Sequence, residues 1–118
     1  MTGTAPRLAQ FYAKTDGSLV VFEQEGASVM TTWSTATGVV YAHTTSTWDA
    51  GKKAFVGEGT RQMKCRANLY EFQVIEEVYA VSDHVIRIRA TTPANFNCRK
   101  GVVTSYGWEE HLWYVPQK

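Results

Sequence analysis

The chain has 118 residues, enough to bury one sizeable core, and carries 12 Lys plus Arg against 11 Asp plus Glu. Such a balance excludes the broad positive field that holds a nucleic-acid backbone or an anionic membrane surface, so neither is expected as a partner. Aromatic residues reach 13%, with four Trp and six Tyr, and Thr is abundant, a composition of pleated, half-buried surfaces rather than of helices.

No apolar run approaches the ~18 residues of a transmembrane helix. The opening residues, MTGTAPRLAQ, have neither the basic start nor the apolar centre of a signal peptide. A soluble, cytoplasmic protein of one β domain, residues 1–118, is the expectation. A mature secreted or periplasmic domain behind an added Met would read the same way.

Near the start, Leu8, Phe11 and Tyr12 stand at i, i+3 and i+4, with Thr4 as an N-cap and Pro6 in a first turn. Residues 4–14 therefore read as a short helix, with an edge strand as the rival. From Ser18 onward turn residues recur at short, regular intervals: Asp16-Gly17, Gly26, Gly38, 49–52, Ser82-Asp83, 93–97 and Gly107. This punctuation predicts strands over 18–24, 28–34, 39–48, 53–66, 69–81, 84–92, 101–106 and 108–115. Nothing between them is long or helical enough to cross over to a parallel strand. An antiparallel meander follows.

The run HTTSTWDAGKKAF, residues 43–55, looks at first like a phosphate loop, but Ser46 stands where the first Gly is required and Lys53 where Ser or Thr must follow. As a hairpin it uses every residue, with Asp49 and Gly51 in the turn. If Asp49 faces Lys52, His43 stands opposite Glu58, Thr44 opposite Gly57 and Ala42 opposite Gly59. Opposed His and Glu are ordinary cross-strand partners and also a candidate site. Glycines inside a strand mark a bulge, a bend or a close approach, which a curling sheet needs.

A second hairpin turns at Ser82-Asp83, with Val81 opposite His84. Glu76 then faces Arg89 on a mixed, solvent-tolerant face, while Ile75, Glu77, Tyr79 and Val81 face His84, Ile86, Ile88 and Ala90. On that reading Glu77 is a carboxylate on the core face, where it must be bonded, shifted in pKa or open to a cavity. The blander alternative is a bulge that turns it outward.

His43, His84 and His111 are scattered singly and lack the spacing of a zinc motif, so no metal is expected. Cys65 and Cys98 either remain two reduced thiols, as the cytosol favours, or close a disulfide loop of about 34 residues. No nucleophile elbow or Cys nucleophile signature is present. The C-terminal YGWEEHLWYV carries large rings on both faces, which suits a covered barrel wall or a subunit contact.

The fold expected is all-β, an antiparallel meander forming a small barrel or strongly curled sheet, with a flat sandwich as runner-up. Barrels of this kind hold small apolar or aromatic ligands, so ligand binding without covalent catalysis is the leading reading, with Glu77, His84, Tyr79, His43, Glu58 and Trp48 as candidate contacts and no cofactor. The alternatives are a self-associating protein pairing through edge strands and the aromatic C-terminal strand, and an acid/base enzyme using a cavity glutamate.

Overall fold

The structure, a computed structural model, describes residues 4–116. It contains eight strands, β1 (Phe11–Ala13), β2 (Leu19–Glu25), β3 (Ser28–Ser34), β4 (Val40–Asp49), β5 (Ala54–Cys65), β6 (Asn68–Ser82), β7 (Val85–Asn97) and β8 (Val102–Tyr114). Each pairs antiparallel with its sequence neighbour, and Ala13 against Tyr114 closes the ring, so the meander is a barrel.

The N-terminal segment is not helical. Leu8 N donates to Gln24 Oε1 at 2.8 Å and Ala9 N to Tyr12 Oη at 2.9 Å. Gln24 Nε2 also donates to Pro6 O at 2.8 Å. Side chains thus satisfy backbone groups that a helix would have paired, while Leu8 and Tyr12 still reach the core. At the other end the two strands expected over 101–115 are one, because Gly107 stays in register opposite Thr92.

Both hairpins differ from the expected registers, with different consequences. In the first, Asp49 pairs with Ala54, since Asp49 Oδ1 accepts from Gly51 N at 2.9 Å and Lys52 N at 3.1 Å and Lys53 adopts φ 56°, making a wider loop. The slip is an even one, so every side chain keeps its face while partners change: His43 lies opposite Thr60, Glu58 opposite Thr45, and Thr44 opposite Gly59. In the second, a bulge between Ala80 and Ser82 displaces the ladder by one, giving Glu76↔Ala90 and Glu77↔Arg89. An odd slip inverts a strand, so Glu76 points into the barrel and Glu77 out of it.

The interior is filled by side chains, among them Tyr12, Phe22, Trp33, Phe55, Val78, Ile86, Ile88 and Trp113. Beyond this core the sheet splits. The β4–β5 ladder ends at Ala42↔Arg61, and the β6–β7 ladder begins at Glu76↔Ala90. The β5–β6 and β7–β8 hairpins therefore project as two arms, giving the molecule extents of 50 × 35 × 21 Å. No ladder joins the arms along 68–75 and 91–97. They are held by Phe96 against Tyr70 and Phe72, with ring centroids 5.4 and 5.1 Å apart, by Tyr70 Oη donating to Cys98 O at 3.2 Å, and by a disulfide between Cys65 and Cys98.

The disulfide corrects the reduced pair expected of a cytosolic chain, since the arms bring these Cα atoms to 5.9 Å. Cross-linking residues 33 apart in sequence is expected to contribute about 3–4 kcal/mol by restricting the unfolded chain. Urea unfolding of Cys65→Ala/Cys98→Ala should show a loss of that order. A loss below about 1 kcal/mol would mean that the bond constrains little.

Candidate functional site

The barrel holds one buried acid at its centre. Alternation along β3, β4 and β6 turns Thr31, Thr44, Ser46 and Glu76 inward, and all are buried. Glu76 Oε2 accepts from Thr44 Oγ1 at 2.7 Å, Ser46 Oγ at 2.8 Å and Thr31 Oγ1 at 3.5 Å. Its Oε1 has no hydrogen bond of full geometry among the described residues, and the Trp33 indole lies near enough to favour the charged form slightly. Burial pushes the Glu76 carboxyl above its ordinary value, and the hydroxyls offset this only in part. Glu76 is thus biased toward the neutral acid, the form that an apolar interior tolerates.

Trp33 separates this centre from the barrel mouth. Its ring meets Trp113 edge-on at 5.9 Å and Tyr41 at 6.3 Å. Beyond it Arg61 lies over the Tyr41 ring at 5.7 Å and pairs through Nη1 with Glu109 Oε2 at 3.1 Å. Here the β3–β4 turn and the β5–β6 arm enclose an open cleft of about 460 Å³, whose walls include Val39, Val40, Tyr41, Leu69, Arg61 and Lys64. Val39, Val40 and Leu69 are exposed aliphatic side chains brought together from two elements. A second concavity of about 510 Å³ lies along Glu23, Gln24, Glu25, Ser28, Met30 and Thr45. It offers one apolar side chain and two carboxylates, and no cation to orient a ligand.

The six candidate contacts do not converge. Glu77 and Tyr79 are neighbours on the outer face, where Glu77 accepts from Tyr79 Oη at 2.8 Å, Lys52 Nζ at 3.1 Å and Arg89 Nη1 at 3.3 Å. Burial alone would raise the Glu77 carboxyl, but these three donors outweigh it and hold the group below its ordinary value, opposite to the shift that a core-facing position implies. His84 is exposed in the β6–β7 turn, and His43 and Glu58 are exposed on β4 and β5 with different partners, Glu58 accepting from Gln73 Nε2 at 3.3 Å. Trp48 packs edge-on against Phe55 at 5.1 Å, part of the wall rather than of a cavity.

Glu76 escaped the sequence reading because one bulge reverses β6. The signal was present on either side: Phe72, Val74 and Val78 share its parity, while Glu71 and Gln73 share that of Glu77. Arg61 and Glu109 carry no local signal, since they meet only where the two arms leave the barrel. Comparison of the chain with protein-family models, with curated proteins and with solved structures finds no match.

Proposed function

We propose that this protein binds a small amphipathic anion at the mouth of the barrel, with its apolar body on Val39, Val40, Leu69 and the Tyr41 ring and its acidic head toward Arg61 and Lys64. The observation that carries the reading is the pairing of exposed aliphatic side chains with two cations in one concavity. Barrel mouths are common ligand sites, and a few convergent polar groups in an apolar cleft fix orientation. Arg61 is suited to the head group because Glu109 engages one arm of its guanidinium and Tyr41 underlies its plane, leaving further N–H donors for a carboxylate or sulfonate. The ligand sits outside the packed interior, and Trp33 keeps it from Glu76. Binding without chemistry is therefore the function that this arrangement supports.

Decanoate is a suitable probe for calorimetry. A ligand of this size should bind at one site with Kd of about 0.1 mM. Lys64→Glu should weaken binding by about tenfold or more through charge reversal, and Leu69→Asp by a similar factor, while Lys100→Glu at the tip of the other arm leaves it unchanged. Affinity unchanged from the parent in Lys64→Glu and in Leu69→Asp would overturn the assignment.

A further inference from the structure

We infer that two copies of this chain pair antiparallel through the outer edges of their β8 strands, independently of any ligand at the mouth. β8 is among the longest strands of the barrel, yet its outer edge meets β1 only at Ala13↔Tyr114. From Val102 to His111 this edge has no strand partner among the described residues. Val115 N donates to His84 O at 2.9 Å, and the alternation of an antiparallel ladder then turns the N–H and C=O groups of Tyr106, Trp108 and Glu110 outward. Pro93 agrees with this phase. It lies opposite Tyr106, at a pair where β8 requires no N–H from it.

Exposed edges are ordinarily blunted by Lys, Pro or a charge. The stretch 102–108, VVTSYGW, has none of these. Its outward rings are half exposed, Tyr106 at 48% and Trp108 at 46%, with the Arg89 guanidinium 4.1 Å from the Trp108 ring.

The edge is also complementary to itself. With the two-fold axis at Gly107, Tyr106 of each copy stands opposite Trp108 of the other, and Ser105 opposite Glu109. No like charges meet. The two outward-facing pairs exchange about four main-chain hydrogen bonds, and the aromatic pairs add cross-strand contact on the outer face. Gly107 permits the close Cα approach of a non-hydrogen-bonded pair at the axis, and a side chain there meets only Ala94 Cβ, at an ordinary 3.7 Å. This self-complementarity identifies the occupant of the edge as a second copy rather than an unrelated strand.

Sedimentation velocity at about 100 µM chain should give twice the chain mass. Tyr106→Lys/Trp108→Lys, both on the exposed face, should sediment as a monomer with unchanged far-UV circular dichroism. Gly107→Cys tests the register, because Cα atoms about 4.5 Å apart can form a disulfide. The two native cysteines are already bonded to each other, so a covalent dimer on a non-reducing gel would report the new pair alone. A wild-type monomer, a dimer that survives the two lysines, larger irregular species, or a Gly107→Cys dimer that does not cross-link would each overturn the proposal.

Discussion

Gly59→Ala is expected to destabilise the barrel by about 3–4 kcal/mol, lowering Tm by roughly 10–15 °C. A Cβ at this position would lie 1.9 Å from His43 O and 2.6 Å from Thr44 Cα, and at Gly57 it would lie 1.9 Å from Thr45 O and 2.5 Å from Ser46 Cα. These obstacles are backbone atoms of β4, so no side chain can rotate away, and the strands themselves must separate. Separation would pull Thr44 and Ser46 from Glu76 and leave a buried acid poorly bonded. Gly57→Ala should behave similarly. Gly38, with φ of 90° and open space around its Cα, provides the comparison: Gly38→Ala should cost only about 1 kcal/mol through backbone strain. Thermal unfolding followed by circular dichroism separates these outcomes, and a Gly59→Ala Tm within a few degrees of the parent would contradict the close approach of β5 to its ladder partner β4.

The second large effect belongs to Glu76. Replacing it with Leu removes the acceptor of three buried hydroxyls and should cost about 3 kcal/mol or more, since Thr31, Thr44 and Ser46 would be left to find other partners. Glu76→Gln keeps the shape and one acceptor oxygen, and its expected signature is in the pH dependence. The folded Glu76 binds its proton more tightly than the unfolded chain does, whose glutamates titrate near 4.5. Between 4.5 and the raised folded value the native state therefore holds the extra proton, and stability falls as pH rises through that window. Glu76→Gln should flatten this decline and match the parent only below about pH 4.5.

Glu77 contributes with the opposite sign. Its carboxyl is held low, so its contribution is complete above 4.5 and is lost as pH falls through the lowered value; Glu77→Gln should be less stable than the parent at neutral pH, draw closer to it in acid, and leave the decline above 4.5 in place. Urea titrations from pH 3 to pH 9 of the parent and the two Gln variants test both signs. A pH profile unchanged by Glu76→Gln would rule out a buried acid at the barrel centre.

Much of the architecture is legible in the residues because β structure is written in alternation and turn chemistry. Asp16-Gly17 and Gly26 lie at the turns between β1 and β2 and between β2 and β3, while the β6–β7 turn falls one residue later than expected, at Asp83-His84. The even slip in the first hairpin cost nothing in facing, and Gly57 and Gly59 do mark a close approach. What was hidden depends on contacts remote in sequence. The bulge after Ala80 has no composition that distinguishes it from an ordinary turn entry, yet it exchanges the roles of Glu76 and Glu77. The arms, their disulfide and the meeting of Arg61 with Glu109 follow from how far each ladder extends, a tertiary property that local pattern does not encode.

The claim that the barrel mouth is the binding site is tested most directly by amide chemical-shift mapping during titration with decanoate. Saturable shifts confined to Val39, Val40, Tyr41, Arg61, Lys64 and Leu69, with the interior strands unmoved, are the result expected from this cleft. An absence of saturable shifts, or shifts gathered instead along Glu23, Glu25 and Met30 in the other groove, would contradict it.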